Sequence, residues 1–354
     1  MDVGAVGLWT FQLDLQPAAR ARELAAEIEA QGWGALWIPE AVGREPLTHA
    51  AVLLDATNEI VVATGVANIW SRSPSATAAA QRLLADDSGG RFLLGLGVSH
   101  GPLVEGLLGQ TYDRPLDRMA AFLDGLDDAF TTAPPPPKDP PRVLAALGPR
   151  MLRLAAERAW GAHTYLVPVD HTAVARETLG PGPMLLVEQA VVLTADEDQA
   201  RDVARRHLQT YLGLPNYARN LRRLGFDDDD LAGGGSDKLV DSLVVWGGVE
   251  AVVDRVAAHH QAGADHVCLQ VLDADATAVP TAQWQELAAA LVEPRRGRRT
   301  GRARKAGGRT AAKAGAAKGT ATKGAKRTAT KGTATTKKAA TKKAAAKKAA
   351  GGGA

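Results

Sequence analysis

Polar and aromatic residues lie within or just after the short apolar segments of residues 1–293, and these are the residues that could do chemistry. The set combines carboxylates, imidazoles, amides, hydroxyls, an indole and a glycine: Trp9, Glu40, Asn68, Ser99, His100, Gly148, His163, Tyr165, Glu188, Gln189 and Gln270. Carboxylates and imidazoles are common general acids and bases of enzymes. The sequence has no paired-histidine metal motif, no GxSxG nucleophile motif and no Walker phosphate loop. The residues therefore predict a polar, aromatic site without a protein-bound metal.

The elements that must position these residues alternate between apolar runs and helical periodicity. The runs predict eight strands, at Val3–Leu8, Ala35–Ile38, Ile60–Val66, Phe92–Gly97, Val143–Leu147, Ala162–Val167, Leu185–Leu193 and His266–Val271. Ser73-Pro74 and Thr194 are helix-start signals, and Gly213–Asp237 is an insertion with a DDDD run and a GGG turn.

Strands of this apolar character are typical of a parallel sheet that helices cover. A doubly wound sheet needs a glycine-rich phosphate turn after its first strand, and Gly7-Leu8-Trp9-Thr10 does not supply one. The sequence therefore predicts an α/β fold, a (β/α)8 TIM barrel with an insertion near residues 213–237. In such a barrel the chemistry lies at the carboxyl ends of the strands.

Charge divides the chain into two parts. Of its 42 Lys and Arg, 20 lie in residues 295–354, which contain no Asp or Glu; the remaining 22 basic residues stand against 39 acidic ones, a net charge of −17. A segment of Lys, Arg, Ala, Thr and Gly cannot bury enough apolar area to offset its chain entropy. We therefore predict two parts, a barrel over residues 1–293 and a disordered basic tail over 294–354. The tail is similar in composition to histone-like Lys/Ala-rich tails, which implies non-specific binding of nucleic acid or another polyanion through residues 295–350.

Five segments resemble the luciferase-like monooxygenase superfamily, over roughly residues 1–293. Three fall at strand ends in the family's order: TGVANIWSRSP (Thr64–Pro74), GRFLLGLGVSH (Gly90–His100) and LAALGPRMLRLAAERAWGAHTYLV (Leu144–Val167). Two more, WIPEAVGREPLT (Trp37–Thr48) and LGLPNYARNLRRLGF (Leu212–Phe226), are similar to the actinobacterial branch that uses the deazaflavin coenzyme F(420). This resemblance implies an oxidoreductase with a deazaflavin cofactor, and flavin mononucleotide (FMN) is the alternative cofactor.

The resemblance also implies where the cofactor binds. A bulge after the third strand, often with a non-prolyl cis peptide, would back the ring, and the fourth strand end would let the cofactor chain approach. The start of the helix after the fifth strand would contact the phosphodiester, because free amide groups there attract anions. The cofactor-binding residues implied are Gly65, Val66, Ala67, Asn68, Gly97, Ser99, Gly148, Pro149, Arg150 and His163.

One position departs from the family pattern. Sugar-phosphate dehydrogenases of the superfamily have an Asp-His pair after the second strand, where this chain has Glu40-Ala41. The sugar-phosphate reaction is therefore in doubt and the proton donor is open. Glu40 and His100 are the candidate catalytic residues.

Several of these side chains also have structural interpretations. Glu40 is either an acid/base or ring-orienting carboxylate, or else a helix cap or rim salt bridge. His100 could bond a cofactor or lie in a solvated loop, and His163 could instead be a satisfied structural histidine. We expect His259-His260 to be exposed on an outer helix and Asp227–Asp230 to be a solvated loop. Cys268 is expected in the core.

The function predicted from the sequence is hydride transfer to or from an unidentified small organic substrate by a deazaflavin-dependent oxidoreductase. A nucleoid-associated DNA-binding protein with a catalytically silent barrel is an alternative of another class. The single cysteine fits a reducing cytoplasm, and no apolar run approaches the roughly 20 residues that span a bilayer. Association as a homodimer is left open.

Overall fold

Eight parallel strands close into a barrel in the computed structural model, which describes residues 1–292. The barrel strands are β1 (Val6–Trp9), β2 (Ala35–Ile38), β3 (Val61–Thr64), β5 (Phe92–Gly97), β6 (Arg142–Ala145), β7 (Gly161–Thr164), β8 (Met184–Val192) and β10 (His266–Val271). Two short strands pair with strands of the barrel: β4 (Ala67–Asn68) pairs with β5, and β9 (Val244–Trp246) pairs with β8. Pairing of β10 with both β1 and β8 closes the ring. The predicted TIM barrel is confirmed, and each predicted strand overlaps one barrel strand.

Helices follow the strands in the order expected of this fold. They are α1 (Ala18–Ala30), α2 (Pro46–Asp55), α3 (Pro74–Asp87), α4 (Gly101–Gly106), α5 (Pro115–Asp127), α6 (Pro149–Arg158), α7 (Val169–Leu179), α8 (Glu197–Leu212), α9 (Pro215–Arg223), α10 (Asp228–Leu231), α11 (Asp237–Leu243), α12 (Val249–Gln261) and α13 (Thr281–Leu291). Ser73 caps α3 as predicted, its hydroxyl accepting from the Ala76 amide at 3.2 Å. Asp196, rather than Thr194, caps α8.

Alternation along the strands separates an interior layer from a helix-facing layer. Leu36, Val62 and Leu269 belong to the large apolar cluster that includes residues of the surrounding helices. The interior of the barrel contains a smaller cluster that includes Trp9, Trp37 and Cys268. Cys268 is fully buried, which confirms its predicted place in the core.

One prediction about exposure and one about a loop were wrong. His259 is completely buried, since its Nδ1 lies 2.8 Å from Thr172 Oγ1 and its Nε2 lies 2.9 Å from Gln189 Oε1. The run Asp227–Asp230 is not a loop: Asp227 and Asp230 form a capping box that starts α10. The insertion as a whole is largely helical, with α9, α10 and a 3-10 turn at Ala232–Gly234.

The basic tail and its predicted disorder lie outside the described residues. Within residues 1–292, no helix is long and apolar enough to cross a membrane.

Candidate active site

The carboxyl ends of the barrel strands form the mouth of the barrel, where the sequence predicted the site. After β3 the chain passes through a cis peptide between Gly65 and Val66 and then pairs with β5, Asn68 opposite Gly97. The bulge and the cis bond thus fall inside the predicted segment Gly65–Asn68. The structure brings this segment together with Gly97.

Two glycines make room for the bulge. A methyl group on Gly97 would overlap Cγ2 of Val66, and one on Gly65 would overlap the indole of Trp9. The Trp9 indole nitrogen donates to the Gly65 carbonyl at 3.2 Å. Because Gly97 has no side chain, the Val66 side chain has room to pack beside it. The sequence did not reveal this role of Gly97.

Glu40 fixes the same segment from β2. Its Oε2 accepts from the Asn68 amide at 2.6 Å and from Arg72 Nη1 at 2.6 Å. Arg72 also donates to Glu45, and the side chain of Glu40 is only 12% exposed. The carboxylate therefore holds the bulge in place through one amide and one buried ion pair.

Ser99 and His100 follow β5 at the rim. Ser99 has a positive φ of 54°, and its carbonyl accepts from the Tyr112 hydroxyl at 3.3 Å. The His100 ring lies 5.6 Å from that of Tyr217, and its buried Nδ1 has no hydrogen-bond partner among residues 1–292. Burial lowers the pKa of His100, opposed by Asn216, so the ring is neutral at pH 7.

The amino end of α6 carries positive charge toward the mouth. Gly148 is its cap and has no side chain to bond the first amides, so the helix dipole is uncompensated there. Arg223 of α9 reaches this point, because a methyl group on Gly148 would lie 3.0 Å from its Nη1. The guanidinium bonds Asn220 and the Arg219 carbonyl, and no carboxylate in the described chain pairs with it.

Two further groups at this end of α6 have unused hydrogen-bonding atoms. The Nδ2 of Asn220 is buried without a partner in residues 1–292, and so is Nδ1 of His171. His171 bonds the Leu147 carbonyl through Nε2, one residue before Gly148. Pro149 and Arg150 are exposed beside them. The helix end, Arg223 and Asn220 together can hold an anion.

Three tyrosines form a cluster at the mouth, in which Tyr217 is buried and Tyr165 and Tyr211 are half-buried. The hydroxyl of Tyr165 donates to Gln270 Oε1 at 2.8 Å and lies 3.0 Å from that of Tyr211. Tyr217 packs edge-on against both rings, and Trp9 lies 5.2 Å from the Tyr165 ring. This tyrosine cluster makes the site aromatic and uncharged, a surface suited to a flat ring system.

Glu188 of β8 points into the barrel below the tyrosine cluster. It pairs in register with Cys268, and its side chain is 1% exposed. Burial raises its pKa to about 8, opposed by the Leu166 amide that donates to Oε2 at 2.9 Å. Such a carboxyl is protonated and uncharged at neutral pH.

His163 lies inside the barrel rather than at its rim. Its ring stacks on Trp37 at 4.5 Å, its Nδ1 bonds the Leu186 carbonyl, and its Nε2 has no partner in the described chain. Burial lowers the pKa of His163 to about 3. The ring is therefore neutral and packed under the mouth, and its contact with a cofactor remains a prediction.

Four residues at the site were not predicted from the strand ends: Tyr211, Tyr217, Asn220 and Arg223. These residues lie on α8 and α9, in and beside the insertion, so no strand end pointed to them. The segment LGLPNYARNLRRLGF contains three of the four and carried part of the family resemblance. That resemblance was the signal that could have placed them at the site.

Comparison with known proteins identifies the family. The family model described as luciferase-like monooxygenase matches residues 1–266. A Mycobacterium tuberculosis protein described as a coenzyme F(420)-dependent oxidoreductase is 31% identical over 173 residues, which are 48% of this chain and 48% of that protein. The chain thus aligns with about half the length of this relative.

Solved structures share the barrel. An F(420)-dependent secondary alcohol dehydrogenase, in complex with an F(420)-acetone adduct, superposes with a TM-score of 0.63 at 14% identity, over 80% of this chain and 96% of the other. The oxygenating constituent of the 3,6-diketocamphane monooxygenase from Pseudomonas putida, in complex with FMN, gives a TM-score of 0.58 at 18% identity, over 80% and 95% of the two chains. At these identities the likeness shows the fold.

Proposed function

The chain belongs to the luciferase-like monooxygenase family of oxidoreductases, and from this membership we propose that it is an F(420)-dependent oxidoreductase. It would transfer a hydride between the deazaflavin and a small organic carbonyl or alcohol. The relative from Mycobacterium tuberculosis, described as F(420)-dependent, supports this choice of cofactor.

The observation that carries the proposal is the pairing of an uncharged aromatic mouth with an anion site at its edge. The tyrosine cluster and Trp9 offer flat apolar surfaces, while α6, Arg223 and Asn220 offer amide and guanidinium donors. A cofactor with a flat ring and a phosphate-bearing chain matches both ends.

The residues that would hold the cofactor follow from this match. The segment Gly65–Asn68 would back the ring, with Glu40 keeping it in position. Gly148, Arg150 and Arg223 would bind the phosphate group of the chain. When bound, the cofactor supplies or accepts the hydride, while the protein supplies orientation and the proton.

FMN is a second candidate cofactor, because it has a flat ring and one phosphate as well. The diketocamphane monooxygenase, a protein of the same fold, contains it. An FMN-dependent monooxygenase would require molecular oxygen, whereas the deazaflavin reaction proceeds without it. Whether turnover requires molecular oxygen therefore distinguishes the two hypotheses about the cofactor.

Turnover tests the proposal. The full-length chain is mixed anaerobically with reduced F(420) and a panel of ketones that begins with acetone, which forms the adduct in the alcohol dehydrogenase structure. We expect the absorbance of oxidised coenzyme to appear with at least one ketone. Activity with reduced FMN and oxygen alone would assign the second cofactor, and activity with neither would leave the barrel without this function.

Two further features belong to the proposal. We place the protein in the cytoplasm, where its single thiol, Cys268, stays reduced. We also propose that residues 295–350 bind polyanions without sequence preference, since they hold many Lys and Arg and no acidic residue.

A further inference from the structure

Glu188 is a buried carboxyl for which the proposed function has not yet accounted. Its neighbours on β8 show its direction: Leu186 belongs to the interior cluster, whereas Gln189 bonds His259 of α12 outside the barrel. Side chains alternate along a strand, so Glu188 points inward. It lies beside Cys268 in register.

Only one of the two carboxyl oxygens of Glu188 has a hydrogen-bond partner among residues 1–292. Oε2 accepts from the Leu166 amide at 2.9 Å, while Oε1 is buried and has no hydrogen-bond partner among residues 1–292. A buried polar atom without a partner is costly unless a ligand or water completes it. Oε1 is therefore free to bond a ligand.

The groups that face Glu188 come from four elements, and all are neutral at pH 7. They are Tyr165 after β7, Tyr211 of α8, Tyr217 of α9 and Cys268 of β10. Burial raises the pKa of each, and the negative charge of an ionised Glu188 would add to each rise. No Lys, Arg or His of the described chain forms an ion pair with Glu188. Within residues 1–292 the Leu166 amide is the one group that lowers the pKa of Glu188.

We propose that Glu188 is the proton donor and acceptor of the active site, bonding the substrate oxygen through its free Oε1 below the tyrosine cluster. This inference rests on the proposed function and fills the position that the Glu40-Ala41 departure leaves open. It deepens that function by requiring a substrate whose reacting oxygen is a carbonyl or hydroxyl.

The proton step is balanced with the hydride that the cofactor supplies. As the carbonyl carbon gains the hydride, the C–O π bond breaks and its electron pair moves to oxygen. The O–H bond of Glu188 breaks, its proton goes to that oxygen, and the products are an alcohol and the Glu188 carboxylate. Solvent then restores the proton, and oxidation of the alcohol runs the same steps in reverse.

The other acidic candidate at the mouth is already engaged. Oε2 of Glu40 accepts from Arg72 and from the Asn68 amide, so this oxygen already has two structural contacts. Nδ1 of His100 is also buried without a partner among residues 1–292, but burial keeps this ring neutral and it lies at the rim. Glu188 differs from both in having an unpaired carboxyl oxygen inside the barrel.

The test compares Glu188→Gln with Glu157→Gln, an exposed carboxyl of α6, in the full-length protein. The first measurement is the unfolding midpoint from pH 5 to 9, without cofactor. Burial raises the pKa of Glu188 in the folded protein to about 8, whereas the usual pKa of a glutamate side chain is 4.5. Between these two pKa values the folded state binds more protons than the unfolded state, so wild type should lose stability relative to Glu188→Gln as pH rises from 5 through about 8, and the loss should level off only above that pKa. Glu157→Gln should show no such trend.

The second measurement is ketone reduction with reduced F(420) as a function of pH. We expect wild-type kcat to fall above about pH 8, and Glu188→Gln to lower kcat about 100-fold or more and to abolish that limb. Cofactor affinity should stay within about threefold, since glutamine imitates the neutral acid. If the variant does not fold, infrared spectra of wild type must show a protonated carboxylic acid that disappears above pH 8.

Three outcomes overturn the proposal. Turnover by Glu188→Gln within tenfold of wild type would remove Glu188 from the reaction while leaving the proposed function intact. A stability difference that does not change with pH would show that Glu188 is already ionised. If wild type itself reduces no ketone with F(420) yet the pH trend is present, the proposed function fails and the proton role fails with it.

Discussion

Arg223 is the residue on which the anion site depends most. Its guanidinium reaches Gly148 at the start of α6 and has no carboxylate partner within residues 1–292. We expect Arg223→Gln to weaken FMN or F(420) binding roughly 10- to 100-fold, because hydrogen bonds to charged groups contribute about 1.5–3 kcal/mol. Riboflavin, which lacks the phosphate, should bind both proteins equally. The control is Arg222→Gln, since Arg222 is half exposed and pairs with Asp228; an equal loss in this control would exclude the anion site.

We expect a substitution at Gly97 to disturb the conformation of the bulge at Gly65–Asn68, and so the stability of the protein, even without a cofactor. A methyl group there overlaps Val66, whose branched side chain is stiff. We expect Gly97→Ala to lower the free energy of unfolding by about 1–3 kcal/mol, the usual cost of overpacking. Gly106→Ala is the control, because a methyl group at Gly106 has nothing within 4 Å. Equal thermal stability of the two variants would show that Val66 yields easily.

For individual residues, the sequence predicted where they lie better than it predicted what they do. Glu40, Asn68 and Gly97 were expected at one edge because each lies at the end of a strand or just after one, and the structure joins them. Glu188 was among the candidates, but its raised pKa comes from burial inside the barrel, which no strand pattern reveals. His259 was expected to be exposed, yet Val252, Val256 and His259 share the buried face of α12 at spacings of four and three. Helical periodicity could have corrected this expectation.

The insertion shows how a polar run can form a structured element. Asp230 accepts from Ser236 Oγ at 2.7 Å and from Lys238 Nζ at 2.7 Å, and it completes the capping box with Asp227. We expect Asp230→Ala to speed amide hydrogen exchange across α10 and the start of α11 by about five- to tenfold, because the capping residues Asp227 and Ser236 each lose a hydrogen bond to the Asp230 side chain. Asp229→Ala, in the same run and exposed, should leave exchange unchanged. Equal exchange rates in the two variants would mean that the capping box contributes nothing.

Barrel strands were predictable and the insertion was not, for one physical reason. A strand covered on both faces is mostly apolar, so Leu185–Leu193 and His266–Val271 differ clearly from the segments around them despite a few polar residues. Short helices such as α9 and α10 contain many charged residues and are held by caps and ion pairs, which the sequence also shows in loops.

For the whole molecule, charge separates the barrel from the tail. We expect truncation after Glu293 to leave folding and cofactor affinity nearly unchanged and to abolish binding to duplex DNA, since the remaining chain carries an excess of acidic residues. Binding by the full-length chain should weaken with salt, with a log–log slope of about −0.9 per phosphate contacted. Gel-shift titrations over a salt series check this. DNA binding that survives truncation would move the nucleic-acid site into residues 1–293 and favour the alternative of a DNA-binding protein.

Equilibrium titration of the full-length chain by cofactor fluorescence tests most directly whether the mouth of the barrel binds a deazaflavin. We expect a submicromolar dissociation constant for F(420) and binding of FMN at least about tenfold weaker, a difference of roughly 1.4 kcal/mol. Under the same conditions Arg223→Gln should bind F(420) roughly 10- to 100-fold more weakly than wild type. Tighter binding of FMN than of F(420), or binding of neither cofactor, would show that the barrel mouth is not a deazaflavin site.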